Sequence, residues 1–165
     1  MMPPEALFDV TTVDLSHVVA DRAAIRAFNL QRFDLEQLDA IVLLDPARQL
    51  IVGYKDVRDD EFWVRGHFPK MPLLPGVLMC EAAAQLCSYY AIAERVMAPG
   101  TMLGFGGLEE VRFRGPVRPG DRLVLIGKAL KLNRRQSRFN VQGFVDGQLV
   151  FHAEVIGVAL AVPGA

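Results

Sequence analysis

Apolar positions follow two different rhythms along the chain. From residue 39 the run DAIVLLD, a break at Pro46-Ala47-Arg48 and the run QLIVGYKDV read as two β-rich segments joined by a turn that Asp45-Pro46 initiates, that is, a hairpin. The strand pattern returns at Met102 and continues through four further runs. These are MLGFGGLEEVRFRGPV, RLVLIGKALKL after the Arg118-Pro119-Gly120-Asp121 turn, SRFNVQGFV after Asn133-Arg134-Arg135-Gln136, and QLVFHAEVIGVAL after Asp146-Gly147. In the third of them Phe139, Val141, Gly143 and Val145 alternate with Arg138, Asn140 and Gln142, the period-two pattern of an antiparallel strand with one face toward water.

Between these groups Pro75-Gly76 is followed by VLMCEAAAQLCSYYAIAERV, a stretch without Gly or Pro and rich in Ala, Leu and Met, with proline suited to a first helical turn. The pattern predicts a helix of about 30 Å. It is apolar nearly all round, so protein must enclose it. Six candidate strands and one long buried helix predict an α+β domain, with a strongly curved antiparallel sheet on one side of the helix and a second subunit on the other. Before this domain, residues 1–21 show little periodicity, and Asp21 to Phe28 offers a short helix with Ile25 and Phe28 on one side. The expected organisation is an N-terminal extension over 1–30 and one domain over 31–165.

Composition narrows the class. With 165 residues, 52% hydrophobic and 22% charged, and a mean hydropathy of +0.24, the chain is too apolar to be disordered and long enough for one ordinary core. Eighteen basic against nineteen acidic residues give a net charge of −1, so no global field recruits nucleic acid or an anionic membrane. The charge is nevertheless uneven: residues 1–62 carry a net −6 and residues 108–138 a net +6. The basic segment reads either as solvated strand and loop faces or as a docking patch for something acidic. Cys80 and Cys87 lie about 10 Å apart along the predicted helix, too far for a disulfide. Free buried thiols and an N-terminus, MMPPEALFDV, without a basic or apolar targeting region suggest the cytoplasm. The apolar stretch from Met71 to Ala93 is not expected to span a membrane, because it carries Glu81, Gln85 and Ser88, and a carboxyl there costs about 3 kcal/mol on insertion scales.

Those three polar residues, at offsets of four and seven, form one stripe on an otherwise apolar helix. A carboxylate buried without a partner costs several kcal/mol, so Glu81 must be paired, protonated or facing a cavity. One reading is structural, with Gln85 and local backbone satisfying it. The other comes from the preceding loop, Arg65-Gly66-His67-Phe68-Pro69-Lys70-Met71-Pro72-Leu73-Leu74-Pro75-Gly76, in which Pro69, Pro72 and Pro75 restrict the backbone that presents His67. A rigidly held imidazole beside a buried helix carboxyl is the pair that acid–base chemistry near neutral pH requires. His17 and His152 read as incidental, and a metal site lacks a third ligand at usable spacing.

GHFP followed by PLLPGVLMCEAAAQ, with Glu81 fourteen positions after His67, resembles the signature of the 3-hydroxyacyl-acyl-carrier-protein dehydratases of bacterial fatty acid synthesis. The resemblance extends through FGGLEEVRFRGPVRPGDRL and FVDGQLV over roughly residues 31 to 160. It implies a hot-dog fold, a curved sheet wrapped around one helix and paired with a second copy as a homodimer or a trimer of dimers. It also implies a hydro-lyase that turns a (3R)-3-hydroxyacyl thioester on acyl-carrier protein into the trans-2-enoyl thioester without metal or organic cofactor. The histidine role, removal of the α-proton, falls on His67. The carboxyl role, protonation of the departing hydroxyl from the other subunit, falls on Glu81. Gly76 would bind the thioester carbonyl through its N–H, the Leu73 carbonyl would orient the imidazole, and Gln85 would orient Glu81. Docking of the acidic carrier would then use Arg112, Arg114 and Arg118, with Arg134, Arg135 and Lys70 as outlying candidates. A hot-dog acyl thioesterase and a silent acyl-binding subunit are the alternatives.

The chain departs from the family pattern in places. Leu30-Gln31-Arg32 stands where Pro-His-Arg is usual, so that histidine's packing role is absent or replaced, and Lys70-Met71 follows GHFP where Gly is usual. The branch that also isomerises the double bond carries Asp on the helix, so Glu81 favours the plain dehydratase.

Overall fold

A computed structural model describes residues 4–97 and 101–162. Its elements are β1 (Ala20–Asp21), α1 (Arg22–Arg26), β2 (Ala40–Asp45), β3 (Leu50–Asp56), α2 (Gly76–Ala93), β4 (Thr101–Phe113), β5 (Arg122–Leu132), β6 (Gln136–Val145) and β7 (Gln148–Ala161), with short 3-10 turns at Val10–Thr12 and Phe33–Leu35. One antiparallel sheet runs in the order β1-β2-β3-β5-β6-β7-β4, and α2 packs against β3, β4, β5, β6 and β7. This is the hot-dog arrangement. The strand count expected from sequence is corrected from six to seven among the described residues, the addition being β1, whose Ala20 and Asp21 pair with Ile41 and Ala40.

The helix forms where its composition requires and stops earlier than the pattern suggests. Its 18 residues span about 27 Å. Glu94 caps it, and Arg95 takes φ +55°, while the Arg95 and Val96 N–H groups donate to the carbonyls of Ile92 and Ala91. That is a Schellman stop, built here on arginine rather than on the glycine that would have announced it. Leu86, fully buried, seats over Gly53, where a Cβ would come within 2.7 Å of the Ala40 carbonyl and 2.9 Å of Leu86 Cδ1. Around it Leu78, Met79, Ala82, Ala83 and Cys87 pack with Ile41, Ile51, Leu123, Leu125, Phe139, Val141 and Phe151 as the main core. Among the described residues no helix is long and apolar enough to cross a membrane.

Two expectations about exposure need correction. The sheet's outer face is not uniformly wet: Ala40, Val42, Leu50, Val52, Tyr54, Val124, Ile126 and Phe144 form a second cluster, covered by Leu7, Phe8, Val10, Val13 and Leu15. Gln142, expected on the water side, is consequently buried, and its amide is satisfied by that cover: Leu7 N–H donates to Oε1 at 2.9 Å and Nε2 donates to the Glu5 carbonyl at 2.8 Å. Likewise, part of the side of α2 away from the sheet is closed by the same chain. Ile25 and Leu38 join the main core, and Phe28 meets Tyr89 edge-on with ring centroids 5.1 Å apart. What stays uncovered on α2 follows helical spacing: Val77 is 73% exposed, and Glu81, Ala84 and Ile92 are half-buried.

Candidate active site

The loop before α2 is held by its own backbone. Gly66 and His67 both donate to the Trp63 carbonyl, Phe68 and Met71 exchange hydrogen bonds, and Leu73 N–H donates to the His67 carbonyl at 2.8 Å. Leu74 N–H reaches the Val117 carbonyl at 2.8 Å, which anchors the loop to the β4–β5 connection. Inside this frame His67 Nδ1 lies 2.8 Å from the Leu73 carbonyl oxygen. A carbonyl only accepts, so Nδ1 carries the proton and the neutral ring keeps its free lone pair on Nε2. The half-buried imidazole stacks on Phe68 at 4.2 Å between centroids.

Gly76 opens α2 without a side-chain cap; Leu78 and Met79 donate to the Pro75 carbonyl, and the first-turn N–H groups ahead of them have no intrahelical acceptor. The Phe113 ring lies where a Cβ on residue 76 would stand, within 2.7 Å, so only glycine leaves both groups in place. Partial positive charge therefore collects at this helix start, beside the loop that holds His67.

Glu81 lies about 7.5 Å further along the axis. Gln85 Nε2 donates to its Oε1 at 2.8 Å, and Gln31 Nε2 donates to the same oxygen at 3.1 Å. Gln85 is buried and fully engaged: Nε2 also reaches the Leu35 carbonyl at 2.6 Å and Oε1 accepts from Gln37 N–H at 2.9 Å. Gln31 is the residue that sequence reasoning noted only as a departure from the family pattern. A residue 50 positions away offers no local signal for such a contact. Ser88, next on the stripe, and Gln31 line a cavity of about 240 Å³ with Phe28, Leu30, Ile92, Met102 and Leu103. A second cavity, of about 320 Å³, is lined by the ion-paired side chains Arg22, Lys55, Arg58 and Glu61 and contains none of the candidate residues.

The structure thus joins His67 to Leu73 and Glu81 to Gln85, and among the described residues no hydrogen bond links His67 with Glu81 in one chain. The basic candidates separate as well. Exposed Arg112 lies opposite His152 in the β4–β7 pairing, and Arg114 Nε donates to His152 Nδ1 at 3.1 Å. Burial, then Arg114 and Arg112, hold His152 below the usual imidazole range. Arg118 and Lys70 are exposed at this same end, which the Leu74–Val117 hydrogen bond joins to the His67 loop. Arg134 and Arg135 occupy the β5–β6 turn, where the Arg135 carbonyl accepts from Ala159 N–H, about 23 Å further along β7. Burial pushes the Cys80 thiol up to about 11 and raises Cys87 too, so neither offers a thiolate near neutral pH. Among the described residues no group of three or more metal-ligating side chains converges.

Comparison with known proteins places this geometry. The family model described as "FabA-like domain" matches residues 29–154. The 3-hydroxyacyl-acyl-carrier-protein dehydratase FabZ of Desulfotalea psychrophila is 39% identical over 126 residues, 76% of this chain and 83% of that protein. Among solved structures, the dehydratase heterocomplex ApeI:P from Xenorhabdus doucetiae superposes with a TM-score of 0.65 at 16% identity, covering 82% of this chain and 90% of that one. AziG of S. sahachiroi gives 0.56 at 20% identity over 74% of this chain and 90% of its own, and the E. coli PaaI protein 0.56 at 13% over 72% and 80%. At those identities the structural likeness establishes the fold alone. The family rests on the sequence match, which takes in the His67 loop, the whole of α2 and most of the sheet: this chain belongs to the FabA-like domain family.

Proposed function

We propose that the chain is a hydro-lyase of fatty acid biosynthesis that dehydrates (3R)-3-hydroxyacyl thioesters on acyl-carrier protein to trans-2-enoyl thioesters. The observation that carries this reading is the 2.8 Å bond between His67 Nδ1 and the Leu73 carbonyl, which leaves Nε2 as a base of fixed direction. Nε2 takes the α-proton, and the electron pair it releases moves toward the thioester carbonyl, whose oxygen meets the N–H of Gly76 at the positive end of α2. As the double bond forms, the C3–O bond breaks and Glu81 gives its proton to the departing hydroxyl, which leaves as water. The imidazolium of His67 then returns a proton to the Glu81 carboxylate, through water, and the site is reset with no net gain or loss.

The same reading makes the active unit a homodimer, with His67 from one chain facing Glu81 from the other. It is supported by the separate hydrogen-bond partners of the two residues in one chain, by the uncovered face of α2 and by β4. That strand closes the sheet order, pairs among the described residues only with β7 and exposes Phe105, Leu108 and Phe113, an edge suited to continue into a second copy. Assembly to a trimer of dimers, and a cytoplasmic site of action for a chain with two free thiols, belong to the same proposal. Acidic carrier would dock by charge at the end that bears Arg112, Arg114, Arg118 and Lys70, with Arg134 and Arg135 at the far end. Turnover of a series of 3-hydroxyacyl-carriers tests the reading. The expected product is a conjugated enoyl thioester still attached to carrier; release of free thiol would make the protein a thioesterase, and binding without conversion an acyl-binding subunit.

A further inference from the structure

Gln31 stands where the family usually has histidine, yet its amide is not idle. It donates to Glu81 Oε1 at 3.1 Å, the oxygen to which Gln85 donates at 2.8 Å, and among the described residues no group bonds Oε2. The segment that carries Gln31 is tied to α2 rather than merely near it. Buried Asn29 donates through Nδ2 to the Gln85 carbonyl at 3.0 Å. Arg32 Nη1 donates to the carbonyls of Asn29 and Gln31 at 2.8 and 2.6 Å, which fixes the backbone on both sides of the amide.

From this geometry we infer that Gln31 is a positioning residue for Glu81, which together with Gln85 holds Oε1 as the accepting oxygen and so assigns the transferable proton to Oε2. The inference rests on the dehydratase reading for the direction of proton transfer. An amide N–H can donate but not accept, so two of them on one carboxyl oxygen are compatible with a C=O or a carboxylate oxygen and not with an O–H directed at them. The protonated carboxyl is therefore turned so that O–H is on Oε2. When Oε2–H gives its proton to the leaving hydroxyl, both amide bonds become charge-assisted and shorten, so they favour the carboxylate at the moment it forms. A single amide from Gln85 would leave the carboxyl plane free to tilt. The second, arriving from a different segment of chain, fixes it.

Three variants and one spectroscopic readout test this. The side-chain amide NMR signals of Gln31, assigned by their loss in Gln31→Leu, should move on Glu81→Ala, whether or not substrate is present. Gln31→Leu, similar in volume but without a donor, should lower kcat about ten-fold with KM within about two-fold, the size of one lost hydrogen bond acting in the reaction step. Gln31→His, which restores an N–H donor, should recover most of that loss, and guards against the leucine variant failing to fold. In a Glu81→Gln background, Gln31→Leu should cost no further residual activity. Amide signals indifferent to Glu81 overturn the inference. So does a loss in KM and thermal stability with kcat intact, or an equal loss in the Glu81→Gln background. A wild-type protein with the amide coupling but no dehydration would instead overturn the dehydratase reading, and the proton assignment with it, while the Gln31–Glu81 contact stood.

Discussion

The main-chain carbonyl of Leu73 accepts the Nδ1 proton of His67 at 2.8 Å, and the Leu73 N–H returns a bond of the same length to the His67 carbonyl. Seven residues, 67–73, are closed on themselves at both the side chain and the backbone, and Pro69 and Pro72 lie inside the ring. Loss of the imidazole should thus remove a base that the loop exists to aim. His67→Ala should reduce kcat by about 10²–10⁴-fold with little change in thermal stability. Steady-state kinetics on a carrier-linked substrate checks this, and a loss under ten-fold would mean another group takes the proton. Pro72→Gly, which keeps the imidazole but frees its acceptor, should fall between wild type and His67→Ala in kcat.

Stability depends on a different pair. Lys55, 1% exposed on β3, places Nζ 2.8 Å from Glu61, which also accepts from Trp63 Nε1 at 3.0 Å and from the Arg58 N–H at 2.9 Å. Removing the acid strands a buried ammonium, so Glu61→Ala should destabilise the fold by about 3–5 kcal/mol. Lys55→Met leaves Glu61 with two donors and removes the charge, and should cost clearly less. Urea unfolding of both variants decides the order; equal losses would show that the packing of the two side chains matters more than their charges.

Stability should also respond to pH through His152. Burial first, then Arg114 and Arg112, lower its folded pKa below the usual 6.5. Below 6.5 the unfolded chain takes up a proton that the folded chain refuses, so native stability falls as pH drops through that value and stops falling beneath the folded pKa. His152→Gln removes this dependence. Its stability relative to wild type should therefore rise between pH 7.5 and pH 5.5, as read from thermal unfolding; a gap that stays constant over the range would contradict the assignment.

Carrier recognition can be separated from chemistry. Charge reversal at Arg112, Arg118 or Lys70 should raise the KM for carrier-linked substrate and leave a small thioester analogue almost unaffected. Arg114→Glu should also disturb His152, because the two side chains are bonded. Arg134→Glu and Arg135→Glu, at the far end of the strands, should have the smaller effect. Equal losses on both substrates for the first group would make the patch structural.

Much of this was legible in the sequence, and the boundary has physical causes. The β2–β3 hairpin, the start of α2 and the loop around His67 are local patterns: two β-rich runs broken at Asp45-Pro46, proline before an alanine-rich run, prolines crowded near a histidine. The end of α2 was hidden because Arg95 adopts the left-handed conformation where glycine would have marked it. β1 is only two residues long, and the cover from Leu7 to Leu15 runs through a 3-10 turn with irregular apolar spacing, so neither has a period to detect. The burial of Gln142 followed from that unseen cover. Within the site, Gln85 lies one turn from Glu81 and helical spacing finds it, whereas Gln31 reaches the same oxygen only through the tertiary fold.

A dehydratase site shared by two chains should be rebuilt when two inactive variants are mixed. His67→Ala chains keep Glu81 and Glu81→Gln chains keep His67. After random exchange in equal amounts, half the dimers are mixed and each holds one intact site, so dehydration of a 3-hydroxyacyl-carrier should return to about a quarter of the wild-type rate. No recovered activity, with exchange of subunits demonstrated by mass, would contradict the shared site and put both groups on a single chain.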